Sequence, residues 1–143
     1  MIYKQDQWSV GHFIQNGNPM VVRARTSIPV KADRETYSHL IVIKWPYTQT
    51  QTGMPDPTDH KRIEEFENAL EAGTEAKGVA IQALSLTGNG VREWRYYAYD
   101  PQKFMETLHE DLQGKEQFPI DLQLFQDPDW SGLTEFSAAK PEQ

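Results

Sequence analysis

The sequence of 143 residues contains no cysteine, which removes disulfides, thiolate metal sites and cysteine nucleophiles. Long apolar runs are missing too. The clearest one, Leu40-Ile41-Val42-Ile43, is far short of the ~20 residues a membrane-spanning helix needs. Met1 is followed by Ile2-Tyr3-Lys4-Gln5-Asp6, with no apolar stretch behind a basic start. No signal peptide is expected on that ground, and a cytoplasmic location is. The four histidines, His12, His39, His60 and His109, form no HxH or HxxxH pair, so no metal is expected. Positive charge is short over most of the chain. Residues 58–143 carry eight Lys/Arg against seventeen Asp/Glu, whereas residues 1–57 carry six against four. Phosphate binding needs clustered cations, so nucleic acid is not an expected partner.

What remains describes an ordinary folded chain. Hydrophobic residues make up 38% and charged residues 24%, too apolar for disorder. The length suits one domain over residues 1–143, able to bury about 68–70% of its unfolded surface without a staple. Gln7–Gln15, the Asn16-Gly17 dipeptide and Pro19–Arg25 predict an N-terminal β-hairpin over residues 7–27, since Asn-Gly supplies the positive φ values of a tight turn. Residues 28–38 are polar and read as a connection. His39–Trp45 is the strongest strand, and residues 47–57, with Gly53, Pro55 and Pro57, read as a loop. Ile63, Phe66 and Leu70 recur at helical spacing from about Thr58 to Ala72, and Gly73 is expected to end that helix. Strands follow at Gly78–Leu86 and Val91–Tyr99 around a Thr87-Gly88-Asn89-Gly90 turn. Asp100 and Pro101 predict an N-cap and first helical residue, with Phe104, Leu108 and Leu112 on one helical face. Ile120–Gln126 is the last strand, and residues 131–143 read as a mobile tail.

From residue 39 to 126 the order is strand, helix, strand, strand, helix, strand. The fold class expected is therefore α+β: a ferredoxin-like split β-α-β unit with an antiparallel four-stranded sheet, two helices on one face and an added N-terminal hairpin. The sheet order is 4-1-3-2, with strands one and three taken to run one way and strands two and four the other. The expected core comprises Ile63, Phe66, Ile81, Trp94, Tyr96, Phe104, Leu108, Ile120 and Leu122. Period two sends Glu93, Arg95, Tyr97 and Tyr99 to the opposite face, near Lys44, Gln82, Leu84, Gln123 and Phe125. There the hairpin is expected either to extend the sheet or to lie over Tyr97 and Tyr99, using Trp8, Phe13 or Val22.

Four short stretches carry a family resemblance: Trp45-Pro46-Tyr47, Gly53-Met54-Pro55-Asp56, Thr87–Gly90 with Arg92-Glu93 and Tyr96-Tyr97, and Asp127-Pro128-Asp129-Trp130. In this order, over roughly Trp8 to Trp130, the chain resembles the domain-of-unknown-function family numbered 695. The resemblance implies a bacterial-type intracellular protein, and it brings no activity or catalytic residues with it. Members of that family are sometimes joined to a domain similar to the regulator-of-ribonuclease-E B family, acidic ferredoxin-like proteins that bind and inhibit an enzyme. That likeness is architectural and implies only an analogy.

No catalytic set emerges, and no cofactor is expected. Neither Ser85 nor Ser131 stands in a G-x-S-x-G elbow. Thr87–Gly90 joins two strands, so it lacks the helix N-terminus that makes a glycine-rich loop hold phosphate. Glu64, Glu65, Glu67 and Glu71 read as a solvated helix face. The function these features favour is a non-enzymatic module binding another protein, of basic character given the acidic helices. The alternative is a small-ligand binder or enzyme with a pocket between the 47–57 loop and the sheet end. In the topology above, the unusual residues fall into two groups about 17–20 Å apart. One holds His39, Asn89 and Trp130; the other holds Pro46, Met54, Asp56, Tyr99 and Asp100. Met54, Asp56, Tyr99 and Asp100 are the candidate binding residues, because a long loop, a carboxylate and a helix N-terminus meet there.

Overall fold

The computed structural model describes residues 2–3, 7–48, 50–115, 117–136 and 140–141. Asn16 (φ 52°) and Gly17 (φ 79°) are both left-handed, as a two-residue type I′ turn requires. They join β1 (Trp8–Gln15) to β2 (Asn18–Arg25), with Gln15 opposite Asn18. The short β3 (Ser27–Ile28) follows, and the polar connection contains a six-residue helix, α1 (Lys31–Thr36). Next come β4 (His39–Pro46), α2 (Pro57–Leu70), β5 (Ala80–Gly88), β6 (Val91–Ala98), α3 (Pro101–Asp111) and β7 (Asp121–Gln126). The chain then forms the one-turn α4 (Ser131–Thr134) and β8 (Lys140–Pro141), which pairs with β3. The fold is α+β, with a six-stranded antiparallel open sheet ordered β1-β2-β5-β6-β4-β7. Among the described residues two of the four α-helices are long. No helix is long and apolar enough to cross a membrane.

The expected cap at Asp100 forms, accepting from Gln102 N–H at 2.9 Å ahead of Pro101, and Asp56, read as a loop residue, caps α2 in the same way, accepting from Asp59 N–H at 2.8 Å ahead of Pro57. Gly73 does not end its helix. The backbone continues through a π-helical turn, Glu71–Glu75, and α3 comes so close there that a Cβ on Gly73 would overlap the Asp111 carboxylate. The glycine is there for close approach rather than for a left-handed stop.

Alternation along the strands places residues on two covered faces. On the helix side Ile41, Ile43, Trp45, Trp94 and Tyr96 pack with Ile63, Phe66, Leu70, Phe104 and Leu108. Ile120 and Leu122 are only partly buried against this core, since β7 is an edge strand. The other face buries Val22, Leu40, Val42, Leu84, Leu86, Tyr97, Trp130 and Leu133. Ile81 belongs to this second core, a correction with a definite cause. A β-bulge between Gln82 and Leu84 shifts the register, so Ile81 lies opposite Tyr97 and Gln82 opposite Tyr96.

The hairpin extends the sheet, one of its two expected placements, β2 pairing with β5, and it does not take the other, over Tyr97. That tyrosine is covered by Trp130, whose ring stacks on it at 3.9 Å and 7°. Residues 131–136, expected within a mobile tail, close the second face, with Leu133 fully buried. Finally, β4 and β6 are antiparallel, His39 facing Ala98 and Pro46 facing Val91. An unbroken alternation of direction follows from the right-handed β-α-β crossover, which makes β4 and β5 the parallel pair with β6 running between them.

Candidate functional site

Strand direction decides which expected site residues meet. Asp127 and Trp130 follow β7, whose Gln126 lies opposite His39. Tyr99 and Asp100 follow Ala98, also opposite His39. Met54 and Asp56 follow Pro46 at the other end of β4, ~23 Å away at 3.3 Å per residue. The four candidates thus split into two pairs, and Asn89 changes sides. The Gly53 carbonyl accepts hydrogen bonds from Gly90 N–H at 3.1 Å and from the Tyr47 hydroxyl at 2.7 Å, which ties loop 47–57 to the β5–β6 turn. Burial raises the Tyr47 phenol pKa, against hydrogen bonds to Gly90 and Gly88 and the Arg92 charge. Asn89 donates to the Gln15 carbonyl at 2.9 Å and accepts from the Asn18 amide at 2.8 Å. The turn is therefore a hairpin that also fastens the β1–β2 turn, as its chemistry implied.

A ligand-sized space lies near the His39 end, on the helix side of the added hairpin. It is a cavity of about 670 Å³, lined by residues of the N-terminal segment, β1, β2, α1, the π-helical turn and β5. That volume lies in the range of small-molecule sites. No described residue of loop 47–57 lines it, nor a second cavity of about 380 Å³ lined by Phe13, Lys44, Asn89, Arg95 and Phe136 among others. Tyr99 comes near, packing edge-on against the wall residue Tyr37 at 6.0 Å, and Trp130 donates from Nε1 to the Tyr37 carbonyl at 3.0 Å.

The cavity's architecture begins with alternation. Trp8, Arg23 and Arg25 share one face of the hairpin through the pairing of Trp8 with Arg25 and Val10 with Arg23. Both guanidinium groups lie over the Trp8 ring, Arg23 at 3.9 Å and Arg25 at 4.5 Å, and Arg25 also lies over Tyr3 at 4.2 Å. Such contacts orient a guanidinium while leaving its in-plane donors usable. Arg25 is 5% exposed and engaged: Nε donates to the Gln82 carbonyl at 2.7 Å, and Nη2 meets Glu75 Oε1 at 3.2 Å. Gln82 is 1% exposed, and among the described residues its buried side-chain nitrogen meets no hydrogen-bond partner. Its cross-strand neighbour Tyr96 likewise keeps a buried, unpartnered hydroxyl. Burial foremost, with Glu75, Glu67 and Glu71 nearby, pushes the Tyr96 phenol far above the usual tyrosine range. Tyr37 donates to the Gly78 carbonyl at 3.1 Å, and its pKa is raised by burial and by the neighbouring Tyr99 and Asp33. Of these two, Gln82 lines the cavity, where its amide could meet a bound polar group, whereas Tyr96 belongs to the helix-side core.

Gln82 was not among the expected site residues, because unbroken alternation from Leu84 sent it to the other face. A bulge within an apolar strand has no composition signal beyond the lone glutamine in Ala80-Ile81-Gln82-Ala83-Leu84. Among the described residues no group of three or more histidine, aspartate or glutamate side chains could hold a metal. No curated protein and no solved structure matches the chain. The model of the family of unknown function DUF695 matches residues 6–137. It spans nearly the whole chain, including all four short stretches, and the protein belongs to that family.

Proposed function

We propose that this protein is a non-enzymatic small-ligand binder whose site is the cavity between the hairpin, α1 and the π-helical turn. The observation that carries the reading is the buried Gln82 amide, without a partner among the described residues, on the wall of a ligand-sized cavity. Among the described residues the lining offers aromatic, apolar, arginine, amide and carboxylate groups but no serine, threonine or histidine, which favours binding over acyl transfer by a serine or histidine-based general-base chemistry. A cytoplasmic setting is supported by the absence of cysteine. The test is thermal: a small-molecule extract of the native host should raise the unfolding temperature of the wild type and leave Ala76→Trp, which fills the cavity, unmoved. An equal shift in both proteins places the ligand elsewhere, and no shift in either removes the reading.

A second reading is a protein-binding regulatory module. Its support is the edge strand β7, where Leu124 is 52% and Phe125 50% exposed. An open, apolar edge suits strand addition by an extended partner segment, and the acidic balance of residues 58–143 suits a basic one. For the finer fold we read residues 39–126 as ferredoxin-like, on the order β5-β6-β4-β7. That architecture carries the analogy with the regulators of ribonuclease E. A host protein retained by the wild type and lost with Phe125→Glu would support this second reading; equal retention by both would remove it.

A further inference from the structure

The described walls of the Arg25 cavity carry charge of both signs, from Arg23, Arg25, Asp33, Glu71 and Glu75. Arg25 and Glu75 neutralise each other at 3.2 Å. Arg23 on β2 and Asp33 on α1 also line the cavity. Among the described residues Arg23 meets only the Trp8 ring, and no side-chain hydrogen bond or ion pair engages Asp33. Trp8, Tyr37, Ile81 and Gln82 line the same cavity. Arg23 is thus a held guanidinium with its donors unspent, and Asp33 a carboxylate with its acceptors unspent.

We infer that the cavity takes a zwitterion on an apolar or aromatic body, such as an amino acid or short peptide, its carboxylate on Arg23 and its ammonium toward Asp33. The inference rests on the ligand-binding reading above and names the class of ligand. A guanidinium receives a carboxylate through two parallel hydrogen bonds, and an ammonium finds both a carboxylate and aromatic faces favourable. A ligand with one charge would engage only one of the two wall charges and forgo the second charge-assisted contact. Gln82 can meet a further polar group on the ligand body.

The test uses four probes with one ring system: tyrosine, glycyl-tyrosine, tyramine, which lacks the carboxylate, and 4-hydroxyphenylpropanoate, which lacks the amine. Binding is followed by Trp8 indole and Gln82 side-chain amide shifts in NMR spectra of the full chain. At least one zwitterion should bind about tenfold or more tighter than both single-charge probes, the size of one charge-assisted contact. Arg23→Met should remove its advantage over tyramine, and Asp33→Asn its advantage over the propanoate. Arg23 is exposed and Asp33 half-buried, so both variants should fold, which unchanged melting confirms. Single-charge probes binding as tightly as zwitterions would overturn the inference and leave the ligand-binding reading standing. No shift from any probe would also overturn it, while the extract experiment judges that reading separately.

Discussion

Tyr97 is the residue on which the second face closes. Its hydroxyl donates to Asp127 Oδ2 at 2.6 Å, and the same carboxylate accepts from Gly132 N–H at 2.8 Å and Ser131 N–H at 3.0 Å. Trp130 adopts φ 59°, unusual for a bulky residue, and Asp127 holds the chain on both sides of it. Burial first, then the Asp127 hydrogen bond and charge, push the Tyr97 phenol far above the usual tyrosine range. A raised folded-state pKa favours the neutral phenol, so its stabilisation is complete below about pH 10. It is lost as pH climbs from there toward the folded-state value. Wild type should therefore lose stability above about pH 10, measurably less so in Tyr97→Phe. At neutral pH that variant should be less stable by about 1.5–3 kcal/mol, for a hydrogen bond to a charged group. Denaturant titrations at pH 7 and pH 10.5 check both; an unchanged alkaline slope would remove Tyr97 as its source. The aromatic run Trp94–Tyr99 announced such a cluster, but the sequence had no means to pair Tyr97 with a tryptophan 33 positions later.

At the scale of elements, what was legible had local causes. Asn-Gly made the hairpin, and Asp100-Pro101 made a helix start. The spacing of Ile63, Phe66 and Leu70 gave α2 its buried face. Asp56 and Asp100 were expected at a binding site, yet each is spent on capping a helix. Asp56→Ala and Asp100→Ala should each cost about 0.5–2 kcal/mol in chemical denaturation and leave ligand binding at the Arg25 cavity unchanged. Loss of binding with unchanged stability would return them to the site. Phe66 and Phe104 are fully buried, Phe66 among Trp45, Trp94 and Phe118 with ring centroids 5.2–5.8 Å apart. Truncation of either to alanine should cost about 3–5 kcal/mol; midpoints near wild type would mean the cavities collapse. What stayed hidden at this scale depends on neighbours distant in sequence. Gly73 is set by the approach of Asp111 on α3, and the Gln82–Leu84 bulge by pairing with a neighbouring strand, β6, that leaves no mark of it in β5's own sequence.

For the molecule as a whole, one sheet carries two cores, and the same strands feed both. Along β4, Ile41, Ile43 and Trp45 point to the helices, while Leu40 and Val42 point to the face closed by Trp130 and Leu133. Along β6, Trp94 and Tyr96 alternate with Tyr97 in the same way after Arg95. Stripping the second face leaves half of every central strand's apolar side chains in water, so neither core has a stable form without the other. Local alternation predicted the two faces, but not what covers the second. A polar-looking segment, Ser131-Gly132-Leu133-Thr134, does so through one leucine and the tryptophan before it. Unfolding is therefore expected as a single transition, with tryptophan fluorescence and far-ultraviolet circular dichroism giving coincident denaturant curves. Trp130→Ala should lower the unfolding free energy of that one transition by about 3–5 kcal/mol, without a separate early step. An early fluorescence change in the wild type, preceding loss of secondary structure, would show that the Trp130 cover opens on its own. In that case the C-terminal segment is a detachable lid over the sheet, and the shared-strand account of cooperativity fails.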